Sequence, residues 1–308
     1  MGHPQPPSPL VFSYKGIIPD AELMSWAREG MLGGIVIFRD NTVNETALRR
    51  GIEAVQEAAP RPLRTMLDEE GGRVRRLLDS PVSMPDLRTM KDGGPEAVAN
   101  AYARVARRLQ TLGIDTLLAP VADVGAPGAE WLNSRTYSDD PHEVASMVHH
   151  AVGAIQSQGI ASCAKHFPGS GSVRHDPHLG TARDETSRTR WDLHDAIPFR
   201  AAVATGVEMI MVGHQESAAF DDCRPADLSA NVIRRVLREG LGFGGLVLSD
   251  DLSMGAIARA FPIEVSLNAA LDAGCDLVVV CNDRVTQRRA LSAWRVRPRT
   301  EAGAPLSA

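Results

Sequence analysis

The sequence is poor in cysteine, in long apolar runs and in excess charge of either sign. Its four cysteines among 308 residues form no CxxC pair, which argues against a disulfide framework and favours buried, inert thiols. No apolar run reaches the roughly eighteen residues of a membrane-spanning helix. Lysine and arginine (33) balance aspartate and glutamate (38), and the net charge of −5 gives no basic surface for nucleic acid.

The amino-terminal stretch MGHPQPPSPLVFSYKG is rich in proline and carries neither a basic region nor a long apolar segment. It does not resemble a secretory signal peptide, so a cytoplasmic location is expected. With 44% apolar and 23% charged residues, the chain has the composition of a globular protein with a substantial core. We expect a monomer.

Eight short apolar runs recur along the chain, each followed by polar or glycine-rich residues and then by a helical pattern. Such runs are typical of strands buried on both faces of a parallel sheet. They are 10–14, 33–38, 63–67, 115–120, 160–165, 208–213, 245–249 and 276–281. They predict a (β/α)8 barrel of the TIM type, an α/β fold with a single domain over 1–308 in which the tail 285–308 is unassigned. A doubly wound sheet is the alternative, but no GxGxxG follows the first strand.

Three amphipathic stretches between these runs predict helices. They cover 44–58, 95–113 and 227–242. Gly113 is the expected C-cap of the second, and Asp227 or Ser229 the expected N-cap of the third.

Polar and ionisable residues follow most of the strands directly. In TIM barrels the active site lies at the carboxyl ends of the strands. The residues at these ends are Asp68, Asp123, Lys165, His166, His214, Asp250, Asp251 and Asn282. A single aspartate after a strand is usually a helix cap, but several strand ends meeting at one mouth predict a functional site.

The segment 165–178, KHFPGSGSVRHDPH, concentrates three histidines, a lysine and an arginine on one loop. A metal hydrolase could use His166, His175, His178, His214 and Asp250 as ligands. Because His175 and His178 have neither strand nor helix spacing, we expect no metal and no cofactor. The alternative is a carboxylate nucleophile with an acid/base residue on a loop, acting on a polyhydroxylated substrate.

KHFPGSGSVRHDPH resembles the KHFPGHG…DSH signature of glycoside hydrolase family three, and more narrowly that of the bacterial cytoplasmic β-N-acetylglucosaminidases of peptidoglycan recycling. Other segments resemble that family's blocks in the family's order, over roughly 30–284. They are GGIVIFRDN, LDEEGGRVRRL, LAPVADV, NSRTYSDDP, MVGHQES, LREGLGFGGLVLSDDLSMGA and AGCDLVVVCNDR. The resemblance implies a retaining exo-enzyme acting on GlcNAc–anhydroMurNAc or its peptides.

The resemblance also implies roles for individual residues. Asp250, the first acid of SDD, matches the catalytic nucleophile, and Asp251 is expected to cap or support because adjacent strand residues face opposite ways. His178 matches the acid/base residue, with Asp176 orienting its ring. The matched substrate-binding positions are Asp68, Arg76, Arg135, Lys165 and His166.

Two departures accompany this resemblance. Ser170 replaces the second histidine of the family signature, and Pro177 separates Asp176 from His178. We expect Gly169 and Gly171 to make the loop flexible enough to close over the sugar. A phosphorylase, another family-three specificity and, from a different class, a non-catalytic sugar sensor remain alternatives.

Overall fold

Eight parallel strands form the central sheet. The computed structural model describes residues 8–77, 84–127, 129, 131–173, 182–281 and 283–298. The strands are β1 (Leu10–Phe12), β2 (Gly34–Ile37), β3 (Arg64–Leu67), β4 (Thr116–Leu117), β5 (Ala161–Phe167), β6 (Met209–Val212), β7 (Leu246–Ser249) and β8 (Val278–Val280). Each coincides with one of the eight apolar runs, and the predicted (β/α)8 architecture is confirmed.

The sheet closes on itself because the last strand returns to the first. Neighbouring strands in the sheet are consecutive in the chain from β1 to β7. On the other side of β1, Leu10 pairs with Val278 of β8. A parallel bridge between Leu248 and Leu277 then joins β7 to the residue preceding β8. The chain is thus a single α/β domain built on a closed parallel barrel.

Side chains alternate along each strand between two apolar layers, as the period of two requires. Leu10 and Phe12 of β1 pack outward into the core beneath the helices, whereas Val11 points into the barrel. The inner layer contains Val11, Val36, Met66, Leu118, Cys163, Met209, Met211, Leu246, Leu248, Leu277, Val279 and Cys281. Because these side chains fill its interior, the barrel is a packed core, which can hold a site rigidly at the ends of its strands.

Helices connect the strands on the outside of the barrel. They are Ala21–Arg28, Glu45–Ala58, Leu87–Asp92, Gly94–Leu112, Pro141–Gln156, Arg188–Leu193, Ala196–Ala204, Asn231–Gly240, Gly255–Ala258, Ile263–Ala273 and Arg284–Val296. Asn44 caps the second, accepting from the Ala47 N–H at 2.9 Å. Gly113 ends the fourth in the left-handed region, with φ of 78°. The helices expected over 44–58 and 95–113 are confirmed.

The third predicted helix is present, with one of its two expected caps. The helical segment Asn231–Gly240 has π-type hydrogen bonding. The carboxylate of Asp227 does not cap it and instead contacts the His214 ring inside the barrel. Ser229 Oγ accepts from the Val232 N–H at 3.3 Å. Of the two caps expected, Ser229 is therefore confirmed and Asp227 is not, because a buried imidazole competes for the oxygen of Asp227.

Two further elements complete the domain. A small sheet of Arg183–Asp184, Glu216–Ser217 and Asp221–Pro225, which the sequence did not predict, joins loops after β5 and β6. The first part of the tail 285–308, for which the sequence predicted no element, belongs to the helix Arg284–Val296. Its Arg284 binds Asp20 at the start of the first helix. Across the described ranges, no helix has both the length and the apolar character that a membrane span requires.

Candidate active site

Six of the predicted site residues border one cavity at the carboxyl ends of the strands. Its volume is about 490 Å³. The six are Asp68, Arg76, Arg135, Lys165, His166 and Asp250. Asp176 and His178, with Pro177 and Asn282, lie outside the described residues, and their roles stay predictions.

Lys165 links two carboxylates at the base of the cavity. Its Nζ lies 2.6 Å from Asp68 Oδ1 and 2.7 Å from Glu70 Oε1, and its side chain is only 2% exposed. Burial alone lowers the pKa of Lys165, but Asp68 and Glu70 outweigh it and raise that pKa above its usual value. Lys165 is therefore a fixed, charged donor.

Glu70 was not predicted, although it joins two cavity residues, Lys165 and Arg135. Arg135 donates to it through Nε and Nη2, both at 2.8 Å, in the bidentate geometry that holds a guanidinium in one orientation. Burial raises the pKa of Glu70, but Arg135 and Lys165 together bring it far below its usual range. Alternation could have found it, because Asp68 and Glu70 are two positions apart in LDEEGG and share a face.

Asp68 receives its second cation from Arg76. Nη2 of Arg76 donates to Asp68 Oδ2 at 3.1 Å, and its guanidinium lies over the Phe38 ring, 5.4 Å from the centroid. Burial raises the pKa of Asp68, but Lys165 and Arg76 lower it below its usual value. The intervening Glu69 accepts from the Arg76 and Leu77 N–H groups, at 2.7 and 3.0 Å, and so fixes the loop that carries Arg76.

His166 is held by a partner on each ring nitrogen. Nδ1 lies 2.7 Å from Asp123 Oδ2, and Nε2 lies 3.2 Å from Arg135 Nη2. Because arginine can only donate, Nε2 accepts and Nδ1–H donates to Asp123. Asp123 also accepts from the Ser170 N–H at 2.6 Å. Asp123 therefore orients both the ring and the backbone that follows β5.

A second buried histidine, His214, stands behind Asp250. Its Nδ1 contacts Asp227 Oδ2 at 3.0 Å and its Nε2 contacts the Asp251 carbonyl oxygen at 2.9 Å. Burial lowers the pKa of His214, but Asp227 outweighs burial and raises it to about 9. The sequence alone marked His214 only as a residue that follows a strand and as a possible metal ligand.

Asp250 follows β7 directly and borders the cavity. Its N–H donates to the Val212 carbonyl at 2.9 Å, which extends the sheet pairing to the rim, and its Oδ1 accepts from the Asp251 N–H at 2.8 Å. Burial raises the pKa of Asp250, but His214 more than compensates and the pKa lies below its usual value. The carboxylate is therefore ionised at neutral pH.

Asp251 forms hydrogen bonds that hold its own loop in place, which is the supporting role predicted for it. Its Oδ1 accepts from Ser253 N at 2.9 Å, Ser253 Oγ at 2.6 Å and Cys281 N at 3.1 Å. Burial raises the pKa of this carboxyl above its usual value. Alternation led us to expect Asp250 alone at the cavity, yet Asp251 also borders it, because strand geometry ends at Ser249.

The glycines after β5 do not act as the sequence led us to expect. A Cβ on Gly171 would lie 1.6 Å from the Val124 carbonyl oxygen, and Gly169 has a φ of 123°. Gly171 is therefore required by close backbone approach, and Gly169 by a left-handed conformation. The expected loop flexibility therefore does not explain why glycine occurs at either position. Ser170 between them is buried, with 3% exposure.

The geometry does not favour the metal alternative. His166 and His214 each have both ring nitrogens in hydrogen bonds to protein groups, so neither has a nitrogen free for a metal. No group of three or more potential ligands occurs within the described part of the chain. His175 and His178 lie outside that part.

The barrel, with ionised carboxylates, fixed cations and imidazoles around one cavity at the carboxyl ends of its strands, has the arrangement of a TIM-barrel enzyme. The glycosyl hydrolase family 3 N-terminal domain matches residues 13–296 of the chain. The chain belongs to this family and is a glycoside hydrolase.

Relatives and solved structures agree with this assignment. The beta-hexosaminidase of Xylella fastidiosa (strain M12) is 33% identical over 282 residues, covering 89% of this chain and 83% of the relative. That of Stenotrophomonas maltophilia (strain K279a) is 33% identical over 280 residues, with the same coverage.

Two solved structures share the fold. The family 3 β-N-acetylglucosaminidase of Paenibacillus sp. str. FPU-7 superposes with a TM-score of 0.89 at 31% identity, over 92% of this chain. This chain spans 56% of that protein. NagZ from Neisseria gonorrhoeae, in complex with N-trifluoroacetyl-D-glucosamine, gives a TM-score of 0.85 at 27% identity, covering 94% of this chain and 85% of that one.

Proposed function

We propose that the protein is a retaining exo-β-N-acetylglucosaminidase that removes the non-reducing terminal GlcNAc from cell-wall muropeptide fragments. The observation that carries this proposal is that Asp250, with a lowered pKa, borders the same cavity as the buried Lys165–Asp68 pair. The similar proteins are β-hexosaminidases and β-N-acetylglucosaminidases by name, which supports the choice of sugar.

The cavity base supplies groups suited to sugar hydroxyls. Asp68 keeps lone pairs free beyond its two cationic contacts, so it can accept from hydroxyl groups. Lys165, Arg76 and Arg135 donate only, and their ion pairs fix them before substrate arrives. Because buried ion pairs close this end of the cavity, we infer that the terminal sugar binds with its non-reducing end here.

The chemistry proposed uses two displacements at the anomeric carbon. Asp250 attacks that carbon and forms a glycosyl ester, while His178, oriented by Asp176, donates a proton to the departing glycosidic oxygen. The neutral His178 then takes a proton from a water molecule, whose oxygen attacks the anomeric carbon and releases Asp250. Two inversions retain the β configuration.

We further propose a monomeric, cytoplasmic enzyme acting on GlcNAc–anhydroMurNAc and its peptides. This part rests on the sequence blocks that resemble the peptidoglycan-recycling enzymes. Size-exclusion chromatography with light scattering tests the monomer, and cell fractionation tests the location.

The decisive test is hydrolysis of aryl β-N-acetylglucosaminides by wild type, Asp250→Ala and His178→Ala. Asp250→Ala should lose more than about a thousandfold in kcat, because the nucleophile is gone. In kcat/KM, which reports the first displacement, His178→Ala should lose about 10²- to 10⁴-fold on a poor leaving group but little on 2,4-dinitrophenolate, which departs without a proton. A mechanism-based fluorosugar should add a glycosyl mass to the peptide carrying Asp250. Full activity of Asp250→Ala would overturn the assignment.

The same assay distinguishes the alternatives. A rate that depends on added phosphate, with GlcNAc-1-phosphate as product, identifies a phosphorylase. Faster turnover of β-glucosides or β-xylosides identifies another family-three specificity. Sugar binding without turnover of any aryl glycoside identifies a sensor.

A further inference from the structure

A second cavity, of about 420 Å³, adjoins the sugar cavity. The two share the wall residues Phe38, Asp251, Met254 and Cys281. Beyond this wall the second cavity is bordered by Ser13, Tyr14, Lys15, Asp40 and Ser253, which follow β1, β2 and β7. It is therefore a continuation of the site and not a separate opening in the barrel.

If the proposed function holds, the second cavity lies on the side of Asp250 toward which the leaving group would depart. The non-reducing end of the sugar would lie at Asp68 and Lys165, and its anomeric carbon at Asp250. The loop that follows Asp250 carries Asp251 and Met254, which form the shared wall. A group attached to the anomeric carbon can pass along this loop directly into the second cavity.

The charged groups around the second cavity differ in how far they are already satisfied. Asp251 accepts three hydrogen bonds from its own loop and from Cys281. Asp40 Oδ2 accepts from the Gly16 N–H at 3.2 Å. The exposed Lys15 has no hydrogen bond or ion pair within the described ranges, although its charge lowers the pKa of Asp283. Lys15 is therefore a cationic donor that can still form new contacts with a ligand.

The backbone that carries Lys15 is fixed, and two exposed apolar side chains follow it closely in the chain. Asn41 Nδ2 donates to the Tyr14 and Gly16 carbonyls, at 3.1 and 2.6 Å. The neighbouring Ile17 is 40% exposed and Ile18 is 72% exposed. A leaving group with apolar bulk and one anionic group fits this combination better than a second neutral sugar would.

We propose that the second cavity is the leaving-group subsite and that Lys15 selects glycosides whose leaving group carries a carboxylate. The ammonium donates to the carboxylate oxygens, with Asp40 opposing any anion placed too close to it. Lys15 is then a specificity-determining residue for the reaction proposed above.

Binding of non-hydrolysable 1-thio-β-N-acetylglucosaminides separates this inference from the catalytic proposal. The probes carry a 4-carboxyphenyl, a 4-carbamoylphenyl or a 4-(aminomethyl)phenyl group, and their Kd values are measured by calorimetry at low salt. Wild type should bind the carboxylate about threefold more tightly than the isosteric amide, as expected for an exposed ion pair. The ratio should approach one in Lys15→Met and in 0.5 M salt (a value chosen to give screening over about 4 Å). It should rise in Asp40→Asn.

The control is Arg50→Met, which removes a positive charge from an exposed position on the helix Glu45–Ala58, and its ratio should equal that of wild type. A wild-type ratio at or below one, tighter binding of the amine, or an unchanged ratio in Lys15→Met overturns the inference. If no thioglycoside binds, the inference falls, and hydrolysis of a neutral aryl glycoside then shows independently whether the proposed function falls with it.

Discussion

Lys165 Nζ lies 2.6 Å from Asp68 Oδ1, and this pair is sealed into the base of the cavity. Glu70, at 2.7 Å on the other side, shares the same ammonium. One ammonium from β5 therefore holds two carboxylates that follow β3, and both Lys165 and Glu70 are almost fully buried.

Lys165→Met should lower the free energy of unfolding by about 3–5 kcal/mol, because two buried carboxylates lose their shared cation. Urea denaturation measures this loss. Arg49→Met, at an exposed pair with Glu53 that is 3.4 Å long, should change stability little. Equal, small effects of the two substitutions would show that Lys165 is not needed for stability.

His214 should be protonated in the folded protein at pH 7. Its pKa of about 9 exceeds the ordinary value of 6.5, so the stability this shift contributes is fully present below about pH 6.5 and disappears as pH rises through about 9. The loss should be about 3 kcal/mol. Nuclear magnetic resonance of the ring nitrogens across pH 6–10 checks the pKa, and Asp227→Asn should lower it. A ring that titrates near 6.5 contradicts the assignment.

His214→Gln should move the acidic limb of the kcat/KM profile to higher pH. The change removes the cation that opposes burial at Asp250, so the pKa of Asp250 rises and its carboxylate is lost sooner on acidification. An activated aryl glycoside, assayed from pH 3.5 to 8, checks the direction. The exposed His142→Gln serves as control and should leave the limb in place. An identical limb in both variants would falsify the coupling.

Gly171→Ala and Gly153→Ala should have opposite effects. At Gly171 a Cβ meets the Val124 carbonyl oxygen at 1.6 Å, so the backbone must move, at a cost of about 1–3 kcal/mol. At Gly153, inside the helix Pro141–Gln156, nothing lies within 4 Å of a new Cβ, and alanine should stabilise by about 0.5–1 kcal/mol. Thermal unfolding of both variants measures these changes in stability. Stabilisation by Gly171→Ala would refute the packing explanation.

The strands could be predicted because each lies in a short, mostly apolar run, which burial on both faces of a parallel sheet favours. Their ends were less certain: β4 contains only Thr116–Leu117, although the apolar run continued to Pro120. The sheet of Arg183–Asp184, Glu216–Ser217 and Asp221–Pro225 was missed because two of its strands have two residues each, too few to show a period.

The site residues that follow strands could be predicted, but most of their partners could not. Asp227 reaches His214 from a turn thirteen residues later, and no repeat in the sequence marks that contact. It was mistaken for a helix cap because the same residue type serves both purposes. Glu70 was visible by alternation and was overlooked, whereas the close approach of Gly171 to Val124 depends on two loops that only the fold brings together.

The pairing of Leu10–Phe12 with Val278–Val280 bears on how the chain folds during synthesis. Until about residue 280 has left the ribosome, β1 has an unpaired edge and the inner apolar layer is open on one side. Closure is therefore a late event of high contact order, and the incomplete barrel is the species most exposed to aggregation or to a chaperone. The active-site cavity, which Val279 and Cys281 also border, is incomplete before that moment.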